Sequence, residues 1–238
     1  MNIKAFRTKI FREKDNLISF ITSKIKKIPE NSILVVTSKI VALSEGRVVL
    51  ASNEKSRERI IRSESQFAMK TKYTWLTIKD GMVLASAGVD ESNADGKIIL
   101  LPKDSFRTAL RLRTILKKHY KVRNLGIIIS DSRLLPLRAG VVGIALGYAG
   151  FKGIRTYVGT PDLFGRPLTM SRTDSADSLA TAAVMVMGEG AERQPLALVT
   201  GAPVEFKDRI NKKELAIDIK EDLYQPLFEK IKKIKYKK

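Results

Sequence analysis

The chain has 238 residues, of which 44% are hydrophobic and 29% charged, a composition typical of a soluble globular protein that can bury a sizeable core. It contains no cysteine, which excludes disulfides, thiolate zinc sites and cysteine nucleophiles and fits a reducing compartment. Because no apolar run approaches the ~18 residues of a membrane helix and the N-terminus lacks a signal-like apolar core, we expect a cytoplasmic protein without membrane association.

The net charge of +19 is unevenly distributed along the chain. Residues 103–123 alone carry +7, whereas the segments that hold the candidate site residues below are close to neutral. Solvated helix faces account for most of this excess, and a basic surface can also raise the local concentration of anionic substrates. The sequence argues against nucleic-acid binding, because no RNA-recognition, helix-turn-helix or zinc-finger pattern accompanies the charge.

The first half of the chain predicts short strands interspersed with helices. Asp15 is expected to cap a helix that Pro29 ends, and residues 53–70 are expected to form a basic helix. Strands are predicted at 33–36, 47–51, 82–87 and 97–101. The first two of these strands are predicted to pair as a hairpin around Glu45-Gly46.

The second half begins with the strongest helical pattern, which Asp104 caps and which places apolar residues inward and Arg and Lys outward. Strands are predicted at 125–130, 141–149 and 195–200, with a turn-rich hairpin over 152–172. Ser175 is expected to open an alanine-rich helix that Gly188 ends. The glycines of 140–150 permit close backbone approach, either to a ligand or to another sheet.

These elements lack strict βαβ spacing and therefore favour an α+β fold with mixed sheets and packed helices. Residues 1–203 are expected to form the main domain. Residues 204–238 are lysine-rich and are expected to be an extension with a helix over 221–235.

Two aspartates follow predicted buried strands, Asp90 after 82–87 and Asp131 after 125–129. A carboxylate at the rim of a sheet can bind a hard cation and reach a phosphate, although capping a turn is the commoner role of an aspartate there. Asn93 adds an amide oxygen near the first aspartate, and Ser132 adds a hydroxyl beside the second. Such oxygen ligands suit Mg²⁺ or Mn²⁺ bridging phosphates.

Basic residues near these turns are candidates for binding an acidic substrate. Lys39 directly follows a predicted strand and could neutralise a phosphate, or could be an ordinary surface lysine. Arg138 and Arg166 could each clamp a carboxylate or phosphate, although a turn pair between Arg166 and Asp162 is equally consistent with the sequence. The chain has no Walker A loop, and its single histidine, His119, lies on the basic helix as an expected surface residue.

The order of these motifs resembles the coenzyme F420-0:L-glutamate ligase family over roughly residues 5–202. The motifs are Val35–Val41 with Glu45-Gly46-Arg47, Ala87–Asn93, Leu100-Leu101-Pro102, Ile127–Ser132 with Arg138-Ala139-Gly140, Asp162–Arg166, Ala176-Asp177 and Met187-Gly188. The resemblance implies an α+β fold of two intertwined subdomains that assembles as a homodimer. It also implies GTP-dependent amide formation with Mg²⁺ or Mn²⁺, often with K⁺.

The resemblance assigns roles residue by residue. Its metal-binding positions are Asp90, Asp131 and Ser132, and its nucleotide-binding positions are Ser38, Asn93 and the loop Gly188-Glu189-Gly190, beside Lys39. No residue is assigned as a proton donor or acceptor. The chain departs from the family pattern at 134–137, where Leu-Leu-Pro-Leu replaces Gly-Arg-Pro-Trp. It also departs at Glu189, which replaces a glutamine.

The leading hypothesis is therefore a GTP- and metal-dependent ligase that joins the amine of L-glutamate to a carboxylate of F420-0 through an acyl phosphate. One alternative keeps this chemistry and changes the acceptor to a folate or a related acid. A second alternative, from another class, is a catalytically silent protein that binds anions or nucleic acid through its basic surface. Nucleotide and metal binding separate the first two hypotheses from the third.

Overall fold

The computed structural model describes residues 1–228, which form mixed sheets and six helices. The helices are α1 (Leu17–Lys24), α2 (Ser38–Ser44), α3 (Glu54–Ser63), α4 (Ser105–Tyr120), α5 (Ser175–Met187) and α6 (Gln225–Phe228). The strands are β1 (Asn2–Phe6), β2 (Ser32–Thr37), β3 (Val48–Val49), β4 (Phe67–Lys70), β5 (Trp75–Lys79), β6 (Met82–Ala85), β7 (Ile98–Ile99), β8 (Leu125–Leu134), β9 (Val141–Ala149), β10 (Ile154–Thr156), β11 (Arg172–Asp174) and β12 (Leu196–Thr200). The expected α+β class is confirmed.

The central sheet has five strands in the order β1-β12-β2-β8-β9. Its two innermost apolar strands, β2 and β8, run parallel, and every other pair in this sheet is antiparallel. Both are buried because helices cover the two faces, as near-continuous Ile, Leu and Val runs require. The register pairs Thr37 with Ser130, so the carboxyl ends of both strands meet at one edge of the sheet.

Helices pack on both faces of this sheet. α1, α2 and α4 bury one face around Ile21, Leu34 and Ile127, and α5 buries the other around Val35 and Ile128. Glycines of β9 allow this packing to be close. A Cβ on Gly147 would lie 2.5 Å from the Phe106 backbone nitrogen of α4, and one on Gly143 would lie 2.6 Å from the Ala180 carbonyl oxygen of α5. At Gly143 and Gly147, the close approach predicted for this strand is therefore to helices.

The predicted hairpin between 33–36 and 47–51 is wrong. After β2 the chain turns directly into α2, whose apolar residues Ile40 and Val41 join the core, and β2 pairs with β12 and β8 instead. Gly46 follows the end of α2 with a φ of 66°, a left-handed conformation that glycine adopts without strain. The short β3 that follows pairs with β7.

The basic helix predicted over 53–70 is too long. Asn53 caps α3, but the helix ends at Ser63, and residues 67–70 form β4 against β5 in a three-stranded sheet β4-β5-β6. The break occurs where Glu64 turns inward to accept hydrogen bonds from Arg47, at 2.7 Å, and from Lys79, at 2.8 Å. This long-range ion pairing does not follow from the local sequence pattern.

Smaller corrections concern helix ends. Asn16, not Asp15, caps α1 by accepting from the Ser19 amide, and α1 ends at Lys24, well before Pro29. Asp104 caps α4 as predicted, and α5 ends at Gly188 as predicted, although its cap is Asp174 and Ser175 is its first residue. The hairpin predicted over 152–172 is present, formed by β10 and β11, but it extends to Asp174.

The segment after 203 packs back on the sheet layer that holds α5. Glu214 accepts hydrogen bonds from the Tyr148 hydroxyl and the Gly153 amide, and Phe206 pairs with Phe151 through a bridge. Of the helix predicted over 221–235, the structure describes turns up to residue 224 and then α6, and the remainder lies outside the described residues. Within residues 1–228, no helix is both long and apolar enough to cross a membrane.

Replacing Glu64 with glutamine is expected to destabilise the protein by about 2–4 kcal/mol at pH 7, because Lys79 and Arg47 lose their shared carboxylate while partly buried. Burial raises the pKa of Glu64, but hydrogen bonds from Lys79 and Arg47 outweigh it and hold that pKa below its ordinary 4.5. The contribution is therefore present above pH 4.5 and is lost as the pH falls through the lowered pKa. Urea unfolding at pH 7 and at a pH below this lowered pKa measures the contribution of Glu64 to stability. The exposed pair Glu58–Arg62 provides the control, since Glu58→Gln should cost less than about 0.5 kcal/mol.

Candidate active site

The carboxyl ends of β2 and β8 bring Ser38 and Asp131 together. Ser38 is the first residue of α2, and its buried hydroxyl donates a 3.2 Å hydrogen bond to Oδ1 of Asp131. Asp131 does not follow the strand, as the sequence analysis expected, but lies within β8. A register shift between Ile129 and Ser130 interrupts the pairing with β9 just before it. Such bulges redirect side chains at functional edges of sheets.

Asp90 approaches the same edge from the loop between β6 and β7. Its backbone pairs with Ile99, and its Oδ1 accepts the Ser92 amide at 2.6 Å. The ammonium of Lys39 lies 2.8 Å from Asp90 Oδ2 and also donates to the carbonyl and hydroxyl oxygens of Ser92, at 3.0 and 3.1 Å. We call the loop between β6 and β7 that holds Asp90 the aspartate loop. Lys39 is therefore no ordinary surface lysine, since its contacts with Asp90 and Ser92 fix it on this loop.

The two carboxylates differ in how their charge is compensated. Burial raises the pKa of Asp90, but hydrogen bonds from Lys39 and Ser92 outweigh it, so that the pKa lies below its ordinary value. Burial raises the pKa of Asp131 to about 7, and the nearby charge of Asp90 adds to this increase. Hydrogen bonds from the Ser132 amide and Ser38 only partly oppose it. The charge of Lys39 also lowers this pKa, but among residues 1–228 Asp131 forms no ion pair.

The loop after α5 closes the other side of the site. Ser132 donates a 2.6 Å hydrogen bond to Oε1 of Glu189, and Asn93 lies 3.4 Å from the Gly190 carbonyl oxygen. These two contacts join the aspartate loop and β8 to the segment Gly188-Glu189-Gly190. Glu189 therefore lies beside Ser132, a candidate metal ligand. The family resemblance assigns Glu189 to nucleotide binding, and the structure adds this contact with Ser132.

The oxygen donors at this edge fit a hard divalent cation. Asp90, Asp131 and the Ser132 hydroxyl are ligand types that Mg²⁺ and Mn²⁺ prefer, and a cation would neutralise the uncompensated charge of Asp131. Among residues 1–228, no group of three or more His, Asp or Glu side chains is clustered closely enough to hold a metal by itself. Two carboxylates nevertheless suffice for Mg²⁺ when water and substrate phosphates supply the remaining oxygens.

Comparison with known proteins relates this arrangement to a family. Residues 5–201 match the family described as F420-0:Gamma-glutamyl ligase. The chain belongs to this family. The matched range includes Ser38, Asp90, Asp131 and Glu189, which the structure gathers at one edge of the central sheet.

Several relatives carry the name coenzyme F420:L-glutamate ligase. The proteins from Methanococcus maripaludis strain C7 and Methanocaldococcus jannaschii are 40% and 41% identical over 147 and 141 residues. These matches cover 62% and 57% of this chain and 58% and 56% of the relatives. The protein from Methanopyrus kandleri is 41% identical over 131 residues, 55% of this chain and 52% of the relative. The chain thus spans little more than half the length of these F420-0:gamma-glutamyl ligase relatives.

The two predicted substrate-binding residues, Arg138 and Arg166, are exposed and lie in turns. Arg166 is part of the 161–167 hairpin loop, where its backbone amide, not its guanidinium, bonds to Asp162, so the turn pair considered from sequence forms through the main chain. Arg138 is exposed in the turn between β8 and β9. Among residues 1–228, neither guanidinium forms an ion pair or hydrogen bond with Asp90 or Asp131. Sequence analysis of this ligase family member missed Ser92, whose only sequence signal is its position two residues after Asp90.

Proposed function

We propose that this protein is a metal- and nucleotide-dependent ligase that joins L-glutamate to a carboxylate of coenzyme F420-0 or a closely related acidic acceptor. The observation that carries the proposal is the convergence of Asp90, Asp131, Ser38 and Lys39 at the carboxyl edge of β2 and β8, within the family match. Ligand sites of open sheets with parallel strands lie at this edge.

Asp90, Asp131 and Ser132 would hold Mg²⁺ or Mn²⁺, and the name of the relatives supports glutamate as one substrate. A divalent cation held by these residues would supply positive charge that neutralises the phosphates of the nucleotide. Ser38, Asn93 and the Gly188–Gly190 segment would line the nucleotide, which we propose is GTP. Lys39 is held 2.8 Å from Asp90 Oδ2 and would add a second positive charge for the nucleotide phosphates.

The proposed reaction has two steps. An oxygen of the acceptor carboxylate attacks the γ-phosphorus of GTP, the bond from that phosphorus to the bridging oxygen breaks, and GDP leaves from an acyl phosphate. The amine nitrogen of glutamate then attacks the acyl carbon, the carbon–oxygen bond to phosphate breaks, and the nitrogen loses a proton as the amide forms. Positioning and charge neutralisation carry most of such a transfer, so the site needs neither histidine nor cysteine.

The proposal includes a homodimer. Large apolar side chains of the loop between β10 and β11 are almost fully exposed in one chain, with Leu163 98%, Phe164 90% and Met170 85% accessible. Soluble proteins seldom leave such side chains clustered in water without a partner surface. A second copy of the chain is the occupant that the family resemblance implies.

The direct test is incubation with GTP, Mn²⁺, L-glutamate and F420-0, followed by mass spectrometry for a product heavier by one glutamyl residue. Asp90→Asn is expected to reduce this product at least about 100-fold, because loss of even an outer partner of a metal site typically costs 10–100-fold. Asp95→Asn, an exposed carboxylate of the same loop, is the matched control and should retain activity.

A parallel incubation with a folate in place of F420-0 separates the two acceptor hypotheses. Formation of a glutamyl folate and no glutamyl F420 would replace the acceptor but keep the ligase chemistry. The ligase proposal is rejected if neither product forms and if GTP with Mn²⁺ does not raise the melting temperature of the folded protein, since a ligand bound to the native state must stabilise it.

A further inference from the structure

The outer face of α4 carries an unusual concentration of positive charge. Residues 105–123 contain seven Arg and Lys and no Asp or Glu. At 100° per residue, Arg107, Arg111, Thr114 and Lys118 lie within one arc, opposite the buried residues Ala109, Leu112 and Leu116, and the exposed C-cap residue Lys121 follows at the end of the helix. We call these five residues the α4 basic face. It is about 21 Å long at a rise of 1.5 Å per residue.

Within residues 1–228, the cations of this face have no acidic partners. All five residues of the face are exposed, and no ion pair to a carboxylate is present for its four cations within residues 1–228. α3 is organised differently, since its Arg62 pairs with Glu58 at 2.8 Å and its Arg57 pairs with Glu91. Like charges four residues apart, such as Arg107 and Arg111, destabilise a helix by a few tenths of a kcal/mol. A solvated helix needs no such unbalanced charge.

A cavity continues the basic surface at the C-terminal end of α4. It has a volume of about 450 Å³ and is lined by Lys117, Arg123, Asn124, Lys207 and Phe206, among others. Asp208 also lines the cavity. Its carboxylate pairs with the buried Arg113 and lies 3.4 Å from the ammonium of Lys117, so its charge is already compensated. Arg113 in turn donates to the Leu125 carbonyl oxygen, which fixes the 206–208 segment against α4 and β8.

We propose that the α4 basic face and this cavity bind double-stranded nucleic acid through its phosphate backbone, without reading bases. A duplex presents one negative charge per ~1.7 Å of axis, which matches an extended row of unpaired cations. The face has no Phe, Tyr or Trp on which an unpaired base could stack, so single strands are disfavoured. An anionic membrane fits less well, because a surface-bound helix must insert its apolar face and α4 buries that face in the core.

This binding is separate from the proposed ligase site. The cavity lies at the start of β8, whereas Asp131 lies six residues further along the same strand, about 20 Å away at 3.3 Å per residue. Sequence patterns alone weighed against nucleic acid, because they contain no known recognition motif. The structure adds that the charge of α4 lies on one face, is unpaired and adjoins a basic cavity.

The test is fluorescence anisotropy of the intact protein with a labelled 24-base-pair duplex, as DNA and as RNA, across a series of KCl concentrations. We expect micromolar or tighter binding at 50 mM salt, with a log–log salt slope near −4, as ~0.9 per neutralised phosphate predicts. The triple variant Arg107→Gln, Arg111→Gln, Lys118→Gln should weaken binding at least tenfold and reduce the slope by about 2–3.

The matched control makes the same change in net charge elsewhere. Lys55→Gln, Arg59→Gln, Lys72→Gln removes three exposed cations from α3 and from the turn between β4 and β5, and it should change the affinity less than threefold. Equal losses in the two triple variants would mean that only net charge matters and would overturn the assignment to α4. Absence of salt-dependent binding by the native protein, or tighter binding to vesicles with 30% phosphatidylserine than to either duplex, would overturn it as well.

Discussion

Replacing Asp131 with asparagine is expected to abolish the stabilisation of the protein by Mn²⁺ and GTP and to lower glutamyl transfer at least about 100-fold. The amide keeps an oxygen that can accept the hydrogen bond from Ser38, so the fold at the edge of β8 should persist. What is lost is a negative charge on a candidate metal ligand. Differential scanning fluorimetry with and without Mn²⁺ and GTP measures the first effect, and product mass spectrometry measures the second.

The same substitution should make the metal-free protein more stable at alkaline pH. Because the folded-state pKa of Asp131 is raised from 3.8 to about 7, the folded protein holds this proton more tightly than the unfolded chain does. Its ionisation therefore costs stability that is absent below pH 3.8, grows as the pH rises, and is complete above pH 7. We expect the advantage of Asp131→Asn in metal-free urea unfolding to grow by about 1–3 kcal/mol between pH 4.5 and pH 8.

If both results are obtained, the charge of Asp131 lowers the free energy of unfolding of the metal-free protein and is required for binding Mn²⁺ and GTP. A variant that is less stable at pH 8 without metal would mean that the charge of Asp131 is compensated within the protein. A variant that keeps its full Mn²⁺-dependent shift in melting temperature would mean that the metal is held elsewhere. Asp95→Asn, which changes an exposed carboxylate, should alter neither measurement.

The fold could be predicted from sequence where local signals and tertiary contacts agree. The capping aspartate and the one-sided apolar pattern of α4 are enough to predict that helix. The alanine-rich sequence of α5 and the glycine at its C-terminal end are likewise enough to predict α5. Sequence reasoning failed where distant partners decide the structure. Phe67–Lys70 continues a basic helical pattern, but its pairing with Trp75–Lys79 and the ion pairs of Glu64 make it a strand.

The residues of the candidate site could be predicted from the sequence, but the contacts between them could not. Asp90 and Asp131 could be selected from sequence because each has a further oxygen donor close by in the chain, Asn93 or Ser132, and the family order of motifs then strengthened both. No sequence pattern places Lys39 on Asp90, or Glu189 on Ser132, since these contacts bridge 51 and 57 residues of chain respectively. The bulge before Asp131 is likewise a property of the β8–β9 pairing rather than of β8 alone.

The position of Lys39 leads to a prediction in which metal and nucleotide affinity change in opposite directions. In the metal-free protein its ammonium lies 2.8 Å from Asp90 Oδ2, where it competes with any cation that approaches this carboxylate. Lys39→Met removes the competing charge, so Mn²⁺ alone should bind about 5–10-fold more tightly, equivalent to roughly 1–1.4 kcal/mol. GTP in saturating Mn²⁺ should bind at least about tenfold more weakly, because one cation near its phosphates is lost.

Isothermal titration calorimetry with Mn²⁺, and then with GTP in the presence of Mn²⁺, separates the two effects. Lys152→Met is the control, because Lys152 also forms a partly exposed ion pair, with Glu205, but lies far along the chain from the site residues. Weaker binding of both ligands by Lys39→Met would make Lys39 a support for the shape of the aspartate loop. Opposite changes support an ammonium that occupies the cation position before the metal arrives and turns to the phosphates afterwards. Lys39 then keeps Asp90 ionised in the metal-free protein, so that the carboxylate is ready to accept the metal.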